Sequence, residues 1–356
     1  MELLKETLSM ITGADKEAMK RTRSKWDGLV KPIGSLGQLE ELTIKISGMT
    51  GKTINPIKRT AILVMCSDNG VCSEGVSAAP QFFTRILAES MSKGLTGVAT
   101  LASFSGADIY TVDLGIIGNP MDANVISRKI SDGTNNFVLG PAMTYEQAVK
   151  AIEIGIEISD RLYSQGYDIL GTGEVGIGNT TTSSAVMTAL TGLDVDITCG
   201  KGAGLTEDQY SNKKEIIRKG IEINKPDKED PIHVISKVGG YDIAGMCGSY
   251  LSAAKNRKPI VMDGFISSVA ALCAIKLNPY VKDYIIPSHL SKEPGSSFLM
   301  NELKLTPILN LDMRLGEGSG CPLAFNVLKA AMYTLENMGT FEEASLNSDE
   351  LIDIRE

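Results

Sequence analysis

Apolar and polar positions alternate along this chain in two different rhythms. Thr60–Cys66 (TAILVMC) is an unbroken apolar run, the pattern of a strand buried on both faces of a parallel sheet. Shorter runs at Asp108–Leu114, Ile169–Leu170, Pro259–Asp263, Tyr284–Ile286 and Pro307–Leu311 predict further strands. Between them lie segments of helical period or small-residue composition: 81–95, Tyr145–Gln165, Thr180–Leu190, Asp208–Lys219, 232–238, 242–255, Phe265–Ile275 and Pro322–Asn337. Residues 1–24 predict two short helices around Gly13-Ala14-Asp15. A Pro/Gly turn at 31–40 feeds an amphipathic helix to about Thr50, with Ser35 placed to cap it. Residues 115–143 read as irregular, and 341–356 as acidic surface. Strand–loop–helix units at this spacing imply an α/β fold with a doubly wound parallel sheet. The helix-only segments at both ends suggest a small helical domain assembled from 1–58 and 321–356 around an α/β domain at 59–320.

One stretch stands out, Gly171–Ala185 (GTGEVGIGNTTTSSA). Four glycines permit tight turns and close backbone approach, and the hydroxyl-rich run after them sits where a helix begins. That is the build of an anion site. Three readings stay open at this point. Gly171-Thr-Gly173-Glu-Val-Gly176 matches the GxGxxG dinucleotide pattern, though the helix signal starts after the third glycine. The stretch also reads as a structural Gly-rich turn, or as a cradle for a mononucleotide or sugar phosphate. Glu174 in its middle would be repelled by phosphate, so it would serve another part of a ligand.

Strand-terminal loops at 67–75, 171–180, 200–204, 263–264, 287–291 and 312–320 are polar or Gly-rich, and a parallel sheet brings such loops to one edge. Backbone donors at Gly176, Gly178 and Gly202, with Lys213 and Ser291, suit a phosphate. Taken alone, Lys213 reads better as part of a solvated helix face. Glu317, flanked by Gly316 and Gly318, suits a general base with a raised pKa, or an exposed turn acid. Asp242 and Asp263 start helices and read as caps; Asp312 and Arg314 read as a local ion pair.

Composition narrows the partners. The 356-residue chain has a net charge of −8 and no basic block, which argues against nucleic acid and anionic membranes. Six cysteines lack a CxxC pair, as in a reduced cytoplasmic protein, and the N-terminus has no signal-peptide pattern. Two histidines are too few for a His-rich metal site, so no metal or cofactor is expected and a carboxylate is the natural base.

Seven ordered motifs then carry a resemblance over about residues 31–335: KPIGSLGQLE, EGVSAAPQ, GEVGIGNTTTSSA, GGYDIAGMCG, MDGFISS, PSHLS and MRLGEGSGCPLAF. Together they resemble the nicotinate-nucleotide:dimethylbenzimidazole phosphoribosyltransferases. The resemblance implies a Rossmann-like α/β domain with a small helical domain made from both chain ends, and dimers with active sites near the interface. It implies transfer of 5-phosphoribose from nicotinate mononucleotide to a cobamide lower-ligand base, with inversion at the anomeric carbon and no metal. The family's base falls on Glu317 and its second acid on Glu174. Its phosphate and ribose contacts fall on Gly176, Gly178, Asn179, Thr180, Gly202, Lys213, Ser291, Asp263 and Asp242. The acceptor pocket falls on Asn69, Pro80, Phe82, Ile86 and Val175.

The chain departs from the family's pattern in that pocket. Asn69 stands where the family usually has His, Phe82 where it has Glu, and Ile86 where it has Gln. Fewer polar partners would suit a less polar acceptor, such as phenol or p-cresol, as in the branch of the family that works as a heterodimer of related subunits. A homodimer, a heterodimer, and a paralogous subunit without turnover of its own are all compatible with the sequence.

Overall fold

The protein was analysed as a computed structural model that describes residues 1–202, 204–347 and 353–355. Ala203 in the second Gly-rich turn, and residues 348–352 and 356 of the acidic tail, lie outside the described residues.

Six strands form one sheet: β1 (Thr60–Ser67), β2 (Asp108–Gly115), β3 (Ile126–Ser127), β4 (Ile169–Val175), β5 (Ile260–Met262) and β6 (Ile285–Pro287). Their order is β3-β2-β1-β4-β5-β6, and every pair is parallel. This is the doubly wound order, in which the chain reverses direction across the sheet between β1 and β4. The two strands run in register from Thr60 opposite Ile169 to Cys66 opposite Val175. A crevice opens beyond their carboxyl ends, where such sheets bind ligands.

The helices are α1 (Glu2–Met10), α2 (Lys16–Asp27), α3 (Gln38–Thr50), α4 (Phe83–Ser92), α5 (Gly97–Ser105), α6 (Tyr145–Ser164), α7 (Asn179–Thr191), α8 (Val195–Thr198), α9 (Glu207–Asn224), α10 (Pro231–Val238), α11 (Tyr241–Lys255), α12 (Phe265–Leu277), α13 (Gly295–Leu303) and α14 (Gly320–Asn337). Helix α11 is buried on all sides except at its last residue, Lys255. Its small residues let it press against α6: a Cβ on Gly155 would lie 2.0 Å from the Gly245 carbonyl, and one on Gly248 would lie 2.0 Å from that of Ile152. Leucine at these positions would force the two backbones apart.

The chain ends meet. Helices α2 and α3 pack on each other and α3 packs on α14. Leu29 bridges antiparallel to Thr340, and the Val30 N–H donates to the Gly339 carbonyl at 2.9 Å. Trp26 is fully buried there and donates its indole N–H to Thr43 Oγ1 at 2.7 Å. Helix α14 also lies on α5, β4 and β5, while α1 lies on α6 and α11, so the apolar core is continuous from these helices into the sheet.

Four local expectations are corrected. Strand β4 does not stop at Leu170 but continues through Gly171–Val175, because its glycines admit close packing from the neighbouring layer. The run 307–311 forms only a single bridge, Leu309 to His289, instead of a strand. Ser35 does not cap α3; Gly37 stands at that position, with φ 51° and no side-chain bond. Helices α5 and α13 are additions to the expected elements, being short and rich in small residues.

Candidate active site

A cavity of about 280 Å³ lies at the sheet reversal, walled by the carboxyl ends of β4 and β5 and the loop after β6. Part of its wall has the build expected of an anion cradle: Gly176, the first residues of α7, Asn179 and Thr180, and Gly202 and Ser291. Gly178 holds φ 90° and lets the chain turn from β4 into α7; it supports this wall without lining it. Lys213 is fully buried on α9, not on a solvated face. Its Nζ donates to Thr180 Oγ1 at 2.9 Å and to the Gly200 carbonyl at 3.0 Å, so the charge braces the cradle from behind. Burial pulls its pKa down. The neighbouring Lys214 faces outward and pairs with Asp196.

The same wall also collects carboxylates. Glu317 sits in a turn in which Gly316, Glu317 and Gly318 all have positive φ (80°, 64° and 89°). For a glutamate this conformation is strained and needs support. Asp263, just after β5, supplies it: Oδ2 accepts from the Gly318 N–H at 3.0 Å and Oδ1 from the Gly320 N–H at 2.7 Å. Asp263 therefore ties the Glu317 turn to the sheet and is no simple helix cap. Glu174, at the end of β4, accepts from the Glu317 N–H and from the Asn179 amide. Asp242 lies behind Asn179, wholly buried, and its Oδ1 accepts from the Ile243 N–H at 3.0 Å; it does not line the cavity. The Glu317 carboxylate points to the start of α5, where Oε2 accepts from the Val98 N–H at 3.3 Å and the Thr96 hydroxyl assists.

Burial dominates the titration of this cluster. It pushes Glu174 well above the usual carboxylate range and Glu317 upward, and it places Asp242 and Asp263 at about 7. Neighbouring acids add to the rise at Glu174, while the N–H donors on Asp263 and Glu317 oppose it. Asp263, raised to about 7 on the cavity wall, can take and give a proton near neutrality, as acid–base chemistry requires. His289, on the loop after β6, also lines the cavity; its Nδ1 lies 2.9 Å from Ser288 Oγ and 3.8 Å from Asp263 Oδ1. Burial lowers its pKa and favours the neutral ring. The sequence alone places His289 only within a polar loop, and it does not mark Glu293 or Arg314, which also line the cavity, as site residues.

The wall also carries apolar side chains: Ala79, Phe83, Leu87, Val175, Ile177 and Leu315. Of the residues expected in an acceptor pocket, only Val175 is on this wall. Phe82 and Ile86 project from the start of α4 to the outside, 57% and 46% exposed. Helical geometry turns Phe83 and Leu87 inward instead, one residue along from each. Pro80 precedes the helix, off the cavity. Asn69 is fully buried beneath the wall, with its amide near the Ser67 and Ile177 carbonyls, both 3.4 Å away. Asp312 pairs with Lys292 at 2.7 Å and not with Arg314. Among the described residues no group of three or more His, Cys, Asp or Glu is arranged to hold a metal ion, and no helix is long and apolar enough to cross a membrane.

The geometry removes the dinucleotide reading. Gly171 and Gly173 lie inside β4, not in the turn that follows it, so the glycine pattern cannot wrap a pyrophosphate. The turn after β1, the usual place of that fingerprint, reads Ser67-Asp-Asn-Gly-Val71.

Comparison with known proteins agrees with this layout. A family profile described as phosphoribosyltransferase matches residues 11–346. The nicotinate-nucleotide–dimethylbenzimidazole phosphoribosyltransferase of Clostridium tetani is 53% identical over 100% of this chain and 99% of its own length. The enzyme of the same name from Clostridium acetobutylicum is 47% identical over 94% of this chain and 96% of its own. The crystal structure of CobT from Thermus thermophilus superposes with a TM-score of 0.89 at 35% identity, covering 93% of this chain and 99% of that one. With near-complete coverage in both directions, the chain belongs to the nicotinate-nucleotide–dimethylbenzimidazole phosphoribosyltransferase family.

Proposed function

We propose that this protein transfers the 5-phosphoribosyl group of nicotinate mononucleotide to an aromatic acceptor that becomes a cobamide lower ligand. The observation that carries this is the make-up of the one cavity wall: the glycines and hydroxyls of an anion cradle, a strained and supported carboxylate, and a set of apolar side chains. The donor's phosphate would rest on Gly176, Thr180, Gly202 and Ser291 with Lys213 behind them, fixing the ribose toward the acids. The C1′–N bond breaks and its electron pair goes to the nicotinate ring nitrogen. That nitrogen is already cationic, so no acid is needed to expel it. The acceptor's nitrogen or oxygen bonds to C1′ from the opposite face, which inverts the anomeric centre, and its proton passes to Glu317. Glu174, Asp263 and Asn179 stand where they can steady positive charge developing on the ribose and bind its hydroxyls.

The acceptor is the finer question. The apolar part of the wall offers Ala79, Phe83, Leu87 and Leu315 in the same cavity as Glu317. Both acceptors can be matched there: dimethylbenzimidazole bonds to C1′ through one nitrogen and gives the proton of the other to Glu317, while a phenol uses its single hydroxyl oxygen for both. Phenol or p-cresol, which needs only that one polar contact in an otherwise apolar slot, stands as a second reading beside dimethylbenzimidazole. Phe82, Ile86 and Leu315 form an exposed apolar margin beside the slot, which supports a second copy of the chain or a related subunit covering it.

The test is a product assay with nicotinate mononucleotide and, separately, dimethylbenzimidazole, phenol and p-cresol, following nicotinate release and the mass of the α-ribotide. Turnover with phenols alone establishes the phenolic reading, and turnover with dimethylbenzimidazole alone removes it. A folded protein inactive with all three, until a related subunit is added, would identify it as half of a heterodimer.

A further inference from the structure

Glu293 is a carboxylate beside the anion cradle. It precedes α13, two residues after Ser291, and lines the wall with Gly202, Thr180 and Arg314. Its side chain rests on Gly200: a Cβ added there would meet Glu293 Oε2 at 1.8 Å. Gly200 is the residue whose carbonyl receives the Lys213 ammonium. Glu293 thus faces Lys213 and Arg314 together, and both pull its pKa down against the larger upward push of burial. Among the described residues its carboxylate accepts no hydrogen bond and touches neither cation in an ion pair; its backbone alone is engaged, the N–H to Ser291 Oγ at 3.4 Å and the carbonyl with the Ser296 N–H at 3.0 Å. A half-buried carboxylate that sits between two cations and bonds to neither stands close to where a phosphate would go.

We infer that Glu293 competes with the substrate's phosphate for Lys213 and Arg314, and so limits how tightly the phosphoribosyl group is held. The inference rests on the cradle being the phosphate subsite. A phosphate entering between Gly176 and Ser291 meets like charge at Glu293, which has to swing toward solvent or take up a proton. Lys292 and Pro294 on either side are exposed, so an outward rotation meets no packed core. The benefit lies in turnover. The donor and the α-ribotide product carry the same phosphate, so the opposing charge loosens both, and without it the product would leave more slowly.

Titration calorimetry with inorganic phosphate, on wild-type protein and on Glu293→Gln, reads the competition directly. The variant is expected to bind phosphate on the order of tenfold tighter. In turnover, its KM for nicotinate mononucleotide should fall while kcat stays level or drops. Equal or weaker phosphate binding by Glu293→Gln, with wild-type binding intact, overturns the inference and leaves the cradle reading standing. Loss of affinity for nicotinate mononucleotide but not for phosphate assigns Glu293 to a ribose hydroxyl and also overturns it. Phosphate binding by neither protein overturns the cradle reading, and the inference with it.

Discussion

Gly173 has no side chain, yet the position of Glu317 depends on it. A Cβ at Gly173 would lie 2.3 Å from the Glu317 carbonyl oxygen, a backbone atom with little room to yield. Gly173→Ala is therefore expected to lower kcat at least about tenfold by displacing the turn, with a much smaller change in KM for nicotinate mononucleotide, since the cradle is untouched. Steady-state kinetics checks this, and an unchanged kcat would mean that the Glu317 turn is free to shift. Lys213→Met should do the reverse, raising KM on the order of tenfold or more while kcat changes less, because it removes charge only from the cradle. At this scale the sequence is half legible. The glycines of GTGEVGIG announce close backbone approach, but Gly171 makes room for α14 and Gly173 for the Glu317 turn, inside the protein and not for a ligand. Lys213 and Lys214 are adjacent on one helix, and no feature of spacing tells which of the two turns inward. Phe82 and Ile86 stand out by comparison with a motif, while the helical turn that rotates Phe83 and Leu87 into the slot is visible only in three dimensions.

Helix α5 is nine residues of small and β-branched character, GVATLASFS, with too weak a period to read in advance. Its start nevertheless holds Glu317, through the Val98 N–H and the Thr96 hydroxyl, and places the positive end of the helix dipole beside the carboxylate. Thr96 is also the N-cap, accepting from the Ala99 N–H. Thr96→Ala removes both functions. It is expected to cost about 1 kcal/mol of stability, and to move the acidic limb of the kcat–pH profile upward, since a donor that held the Glu317 pKa down is gone. A thermal melt and a pH–rate series measure the two effects separately; a lower melting point with an unmoved limb would restrict Thr96 to capping. The long, strongly patterned elements are readable because burial dictates their sequence: β1 is apolar almost throughout, and α6 carries a capping box from Thr144 to Gln147. Strand β4 reads as too short because its packing requires glycine, threonine and a glutamate, which look like a loop.

Across the whole molecule, several buried acids share one consequence. Asp242 and Asp263 titrate at about 7 in the folded chain, against about 4 when unfolded. Between these values the folded state holds more protons than the unfolded state, so stability falls as pH rises, by up to about 1.4 kcal/mol per pH unit for each group, and changes no further above about 7. Below about 4 both states are protonated and the penalty is absent. Asp242→Asn should abolish one such contribution. Its melting temperature relative to wild type is expected to climb between about pH 4 and 7 and then level off. A difference that stays constant with pH would show that Asp242 titrates normally. The doubly wound order, the helical ends and the edge at which the loops converge are all legible from strand–helix alternation, because topology follows from the order of elements. The registers and cavity walls are not, because they follow from which small residues let two backbones touch.

The pairing of Leu29 with Thr340, and of α3 with α14, sets an order of events during synthesis. A ribosome emits α2 and α3 first and α14 almost last, tens of seconds later at roughly 5–20 residues per second. Throughout that interval the apolar face of α3 that α14 will cover has no lasting partner. The sheet can close before the chain is complete, but the two ends cannot. A nascent chain stopped short of Gly320 therefore carries a paired sheet whose β4 and β5 still lack the cover of α14, beside an unclosed helical flank, and it is this apolar surface that would recruit a chaperone or a neighbouring chain.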